Sequence, residues 1–465
     1  MTGPSPCPRP TTLGAVDVGA RLVRDYEDGA DVGESDPVNW PDPGQYLAAT
    51  LPVWGLAAGS VQAFVAAADR YRQATATTPI RHRLNPERIA ASFASDRLLR
   101  IAGAPVEGFA DLSGFFPTFD GWVRTHANYP HHRARLLSAL ELPTDAPREL
   151  AEAQMAMIRA ADLEELAAAR GAIVVRVRDE AQWRAGPQAA AAGAGPLVAL
   201  VERGDRRRYT PPLPGTPYQP LQGVRVLDLT RVIAGPVATR ALALLGAEVL
   251  RADPPGLPEI SWQYTDTCQG KHSTLLDLRS GSAAWESLLD SADVLVTGYR
   301  PGALERLGLA GRPGLVHARV SAWGFTGPWA GRRGFDSIVQ AATGIAVIEG
   351  ASAVPGALPA QALDHASGYL LAAGIVDALA ARASDGRGRD VRVSLARTAT
   401  WLLSERGRTP DHAAPAVPGP GSTVTHGQVV SAAPALAEYP DYPFPAPGYG
   451  RAEPHWAERR APEPR

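Results

Sequence analysis

The sequence predicts an α/β fold in which a mostly parallel sheet domain is accompanied by a smaller α+β domain. Three observations carry this. From residue 221 onward, β-branched runs alternate with alanine- and leucine-rich helical runs, the pattern of βαβ units. Proline-rich stretches at 206–220 and after 406 bracket that region and read as linkers. Ahead of it, an Asp120-Gly121 turn leads into a short strand and then a helix, a local α+β pattern.

Taken in order, residues 1–45 are rich in Pro, Gly and Asp and predict little regular structure. Region 46–205 opens with a helical pattern from Leu47 to about Ala74. In "PTFDGWVRTHANYPHHRARLLSALEL", Trp122 and Val123 read as strand and a helix follows. A charged, alanine-rich helical stretch covers about Pro147 to Arg170, before the strand-like "AIVVRVR". The linker 206–220 then gives way to region 221–405, which opens with "GVRVLDLTRVIAGPVATRALALLGAEVLRAD". This reads as a strand (Val224–Leu229), a helix from near Pro236, and a strand (Glu248–Ala252): a Rossmann-like unit. "ADVLVTGY" and "LVHARVSAW" add strands. A helix from Asp364 to about Ala383, the turn "SDGRGRD", the strand "VRVSL" and a last helix complete the region. Residues 406–465 hold a second proline-rich linker and a closing segment.

With 45% hydrophobic residues the chain can build a sizeable core. A net charge of −2 provides no global field for nucleic acid or an anionic membrane, so any anion site must be a local basic cluster. Lys271 is the only lysine among many arginines. Cys7 and Cys268 form neither a metal spacing nor a disulfide framework, which fits a reducing compartment. "MTGPSPCPRPTT" lacks a secretory pattern, and the apolar stretch near "VWGLAAGSVQAFVAAA" is broken by Ser60 and Gln62. A cytoplasmic protein with neither nucleic-acid nor membrane partners is expected.

The motifs narrow the chemistry. A dinucleotide site needs GxGxxG after the first strand, whereas "TRVIAGPVA" lacks the glycines and puts Pro236 at the helix start, although Asp253 closes the second strand. His126, His131 and His132 lie at a spacing that does not align two imidazoles on one helix face, so a solvated or structural group is expected and no metal. Lys271, Arg279, Arg300, Arg306 and Arg333 sit near strand ends and turns, where guanidinium groups suit a phosphorylated ligand. In "PAQALDHASGYLLAAG", Asp364 opens a long apolar helix and is expected to serve as its N-cap.

The blocks "LQGVRVLDLTRVIAGPVATRALALLGAEVLRADPPG", "GKHSTLLDLRSG", "ADVLVTGYRPGALERLGL", "VSAWGFTGPWAGRRGFDSIVQAATG", "LDHASGYLLAAGIVDALAAR" and "GRGRDVRVSLARTA" together resemble the class III CoA-transferases, the CaiB/BaiF family, over residues 221 to about 402. The resemblance implies the family-III CoA-transferase fold. It also implies an enzyme that moves CoA from an acyl-CoA to a carboxylic acid, with no bound cofactor. Its nucleophile falls on Asp364, which would form an aspartyl mixed anhydride. A carboxylate with an ordinary pKa near 3.9 would be ionised at neutral pH and need no general base. CoA contacts fall on Ile233 and Ala234, on Leu276, Asp277, Leu278 and Arg279, on Gly298, Tyr299 and Arg300, and on Arg306 and Arg333. One basic family contact falls on Pro254, and a glutamine that some transferases place over the reactive centre falls on Ile233.

The related racemases use a His whose position here is Phe335, and His365 is a weak substitute, so proton exchange by that route is disfavoured. Acyl-CoA isomerisation through other residues and acyl-CoA binding without catalysis are the alternatives. Chain order departs from the family: "PTFDGWVRTHANYPHHRARLLSAL" resembles its second domain yet precedes Asp364, and "VVSAAPALAEYPDYPFPAPGYGRAEPHW" resembles its closing segment. The usual glycine-rich loop has no counterpart after residue 402. A homodimer is implied by the same resemblance.

Overall fold

The structure, a computed structural model, describes residues 15–207, 215–280, 283–303 and 311–456. Early in the chain lies a short hairpin, β1 (Arg100–Ile101) and β2 (Ala104–Pro105). A small antiparallel sheet follows, made of β3 (Phe115–Thr118), β4 (Gly121–Thr125) and β5 (Val174–Arg176) in that order. The β3–β4 turn is Phe119-Asp120, one residue earlier than the expected Asp120-Gly121 turn, because Gly121 already pairs with Thr118.

The large sheet comprises β6 (Ala199–Arg206), β7 (Arg225–Leu229), β8 (Glu248–Asp253), β9 (His272–Leu275), β10 (Val294–Thr297), β11 (Val316–Ser321) and β12 (Arg387–Ser394). Among the described residues its order is β6-β12-β11-β10-β7-β8-β9, with β6 alone antiparallel. The central strands are covered on both faces, which is why "ADVLVTGY" reads as a continuous apolar run. From β7 the chain builds outward to β8 and β9 on one side, and β10 then starts the other side. The C-terminal ends of β7 and β10 therefore form a switch point, where open α/β sheets leave a crevice. Finally β13 (Thr423–His426) and β14 (Val429–Ala432) extend the early hairpin into a four-stranded sheet.

The Ala362–Asp385 helix is the core of the molecule. It is apolar nearly all round, as a helix buried on every side must be. By length and composition it is a candidate membrane span, but 83% of that window is buried inside the protein. The Val53–Ala74 and Ala234–Leu244 helices pack on it, and β12 runs beneath. Gly368 permits the second of these contacts, because a Cβ there would come within 2.6 Å of the Ala234 carbonyl oxygen.

Region 46–205 is divided between two cores. The Val53–Ala74 helix shares a core with the large sheet, and β6 pairs with its edge. Residues around Leu112, Val123, Leu136 and Leu163 enclose a separate core beside the small sheet. The helix expected from near Pro236 begins at Ala234, so Pro236 lies within its first turn, where a missing N–H costs nothing.

Candidate active site

Asp364 is the third residue of its helix, not the cap. Gln361 occupies the N-cap position and makes no side-chain capping bond. The cap comes from elsewhere: Asp336, first residue of the Asp336–Thr343 helix, accepts the Asp364 N–H on Oδ2 at 2.9 Å. The Gln340 amide donates to the other Asp336 oxygen, and Gln340 Oε1 accepts the Leu358 N–H at 2.9 Å. This leaves the Asp364 side chain free of the capping role expected of it.

The residue is 6% exposed. Burial first, and the neighbouring Asp336 second, push its pKa well above the carboxylate range. Burial also raises Asp336, to about 6, against the pull of the Asp364 N–H and the Gln340 amide. Both causes disfavour the ionised form of Asp364, against the expectation of a carboxylate ionised without help.

Two cavities meet at Asp364. The outer one, about 260 Å³, opens at the switch point between the loops after β7 and β10. The inner one, about 30 Å³, reaches toward Phe109, His126, Gln263 and Ser337. Val232, Ile233, Phe335 and Asp364 line both, and of these only Asp364 is ionisable.

The loop after β7 is held firmly. Asp228 Oδ1 accepts from the Thr230 N–H at 2.8 Å and the Thr230 hydroxyl at 2.5 Å, and Oδ2 accepts from the Thr239 hydroxyl at 2.5 Å. Lys271 reaches Asp228 Oδ2 at 3.3 Å and the Pro236 carbonyl at 2.8 Å. Fully buried, it tethers the loop from below and takes no place in a phosphate site, correcting the sequence expectation. Burial pushes the Asp228 carboxyl up, but Lys271 and Arg251 outweigh it and hold the group below its usual range.

Val232 has φ of +72°, strained for a β-branched residue. Glu259 accepts its N–H at 3.0 Å and is itself held by Arg251 at 2.9 Å and by the Tyr129 hydroxyl. The strained turn presents the start of the Ala234–Leu244 helix, which no side chain caps, to the cavity.

Arg231, Arg300, Arg332 and Arg333 line the outer cavity. Burial, then Arg300 and Arg135, lower Arg333 to about 10, whereas Arg231 pairs with Glu259 at 3.5 Å and Arg332 with Glu165 at 2.8 Å. Of the residues expected to touch CoA, Ile233, Ala234, Gly298, Tyr299, Arg300 and Arg333 line this cavity with Asp364. Leu276, Asp277, Leu278 and Arg279 lie beyond β9, outside it; Leu276 is buried, and Arg279 pairs with Asp277 at 2.9 Å. Arg306 lies outside the described residues.

Sequence reasoning missed the contribution of the early chain. Tyr129, His131 and His132 line the outer cavity, and His126 lines the inner one. His126 stacks on Phe335 with ring centroids 3.8 Å apart, and burial, then His132 and Arg124, keep it neutral with a pKa of about 3. His365 packs against Phe93 and lines neither cavity. Spacing held no signal for this, because the partners lie some two hundred residues apart.

Residues 221–434 match the family described as CoA-transferase family III. The chain is 35% identical over 215 residues to a probable fatty acyl-CoA transferase, Rv3272, of Mycobacterium tuberculosis, covering 41% of this chain and 54% of that protein. It is 31% identical over 268 residues to formyl-CoA:oxalate CoA-transferase of Streptomyces coelicolor, covering 52% and 61%. A crystal structure of Rv3272 aligns at 36% identity and a TM-score of 0.37, over 40% of this chain and 56% of that one. The chain thus spans about half the length of the curated relatives it matches. Residues 221–434, which hold the parallel sheet and the cavity at its switch point, are thus similar to CoA-transferase family III.

Proposed function

We propose that this site transfers CoA between carboxylic acids, with Asp364 as the nucleophile. One observation carries the reading: among the described residues, Asp364 is the sole ionisable side chain lining both a cation-rimmed outer cavity and a small inner one. A thioester whose carbonyl sits at that junction has its carrier outside and its acyl group inside.

In this reading the ionised Asp364 oxygen adds to the thioester carbon, the C–S bond breaks, and the electron pair leaves on the CoA sulfur. The uncapped N–H groups at the start of the Ala234–Leu244 helix face the developing oxyanion. The released thiolate adds to the Asp364 carbonyl of the resulting anhydride and expels the donor acid, leaving an aspartyl-CoA thioester. The incoming carboxylate displaces the thiolate to form a second anhydride, and the thiolate then takes its acyl group, freeing Asp364 and the new acyl-CoA. Atoms and charge balance without a redox partner. Asp364 must first give up its proton, and Asp336, ionising at lower pH beside it, opposes that loss.

The test is hydroxylamine trapping with a panel of acyl-CoAs, followed by peptide mass analysis. A hydroxamate at Asp364, and loss of transfer by roughly a thousandfold or more in Asp364→Asn, is the expected result. A second reading, acyl-CoA binding without transfer, draws on the same raised Asp364 pKa. Undiminished acyl-CoA binding with no adduct across the panel decides for it.

A further inference from the structure

The walls of the inner cavity carry information about the acyl group, given the transferase reading of the site. We infer that this cavity selects a short acyl group bearing a hydroxyl, over both a long aliphatic chain and a chain ending in a second carboxylate. Size comes first. About 30 Å³ is room for two or three water-sized groups, which a two- to four-carbon acyl chain fills and an octanoyl chain overfills.

Polarity comes second. His126 Nδ1, Gln263 Oε1 and Ser337 Oγ are buried without a hydrogen-bond partner, and all three residues line this cavity. Each residue is more than nine-tenths buried. Buried polar atoms of this kind are ordinarily satisfied, and a hydroxyl, which both donates and accepts, suits the set. An all-carbon chain of the same length leaves them unsatisfied.

Charge comes third. Two acids, Asp96 and Asp364, line the cavity, and no Lys or Arg among the described residues does. Arg124 is set back from it, its guanidinium 4.7 Å from the Phe109 ring and 4.8 Å from the Phe115 ring. A second carboxylate on the acyl group would be buried there beside Asp96 with no cation in the wall.

The experiment measures calorimetric binding to Asp364→Asn, which cannot turn its ligand over, alongside transfer by the unaltered protein. 3-Hydroxypropanoyl-CoA is expected to bind about tenfold tighter than propanoyl-CoA, and by at least a similar margin over octanoyl-CoA and succinyl-CoA. Adding Ser337→Ala should shrink the hydroxyl preference several-fold, and adding Phe109→Ala should shrink the penalty on octanoyl-CoA. Equal or tighter binding of octanoyl-CoA or succinyl-CoA, or a hydroxyl preference indifferent to Ser337, overturns the inference. If the preference holds but the unaltered protein transfers CoA to no acid, the transferase reading falls and the cavity assignment stands. If transfer proceeds without regard to chain length or hydroxyl, only the cavity assignment falls.

Discussion

The two cavities that meet at Asp364 are built on opposite principles. The outer one is rimmed by Arg231, Arg300, Arg332 and Arg333, and at least one of these guanidinium groups is held below its usual pKa by burial and its neighbours. The inner one is an order of magnitude smaller in room, has acids in its wall, and is lined by residues with buried polar atoms that lack a partner. A positive, open cleft attracts a polyanion from a distance and tolerates imprecise seating. A narrow, buried pocket discriminates by volume and by leaving polar atoms unpaired. Under the proposed transfer, a thioester has one end suited to each, and Asp364 lies between them.

The outer cavity gives the larger handle. Replacing Arg300 and Arg333 together by Ala should raise KM for acyl-CoA by roughly a hundredfold at low salt, with a smaller change in kcat. The effect should narrow as ionic strength rises, because screening already weakens the unaltered cleft. KM measured across a salt series checks it. A KM indifferent to both arginines would mean that this cleft does not hold the carrier's phosphates.

The junction gives a pH handle. A raised Asp364 pKa means that the neutral acid dominates until pH climbs past it, so the rate should rise with pH on a limb well above the normal carboxylate range. Asp336→Asn keeps an oxygen to accept the Asp364 N–H and removes the repelling charge. The limb should then move to lower pH by about one unit. The folded pair binds more protons than the unfolded chain between roughly pH 4 and the folded values, about 6 for Asp336. The pair's contribution to stability is therefore most favourable below pH 4 and declines across that window. Asp336→Asn should flatten the decline in a melting series. An unmoved limb would separate Asp336 from the titration of Asp364.

How much of this was legible depends on what is local. The central strands were readable because burial on both faces leaves an apolar run, continuous in β10 and broken only by Asp228 within the buried part of β7. Asp364 was readable as an acid at a helix start. Its exact place was not, since local sequence favours acids both at the cap and within the first turn. Only the tertiary partner, Asp336, shows which applies. Lys271 read as a candidate phosphate contact because its counterion, Asp228, lies 43 residues earlier, on β7. The inner cavity was invisible for the same reason: Asp96, His126, Gln263 and Ser337 come from four separate segments. The small sheet read as α+β from one turn, but no residue pattern announced that the segment after it would wall the cleft.

The smallest expected effect marks where the outer cavity ends. Arg279 is exposed and already paired with Asp277 through two guanidinium nitrogens, at 3.0 and 2.9 Å. It follows the edge strand β9, and neither it nor its neighbours line the cavity that holds Arg300 and Arg333. An exposed pair of this kind contributes little, and its charge is already neutralised from within. Arg279→Ala should therefore change KM for acyl-CoA by less than about twofold at moderate salt. A tenfold rise would instead show that the carrier extends across the loop after β7 to the sheet edge and breaks the Asp277 pair on arrival. The cationic track would then run the width of half the sheet, and the contrast between the two cavities would be one of reach as well as charge.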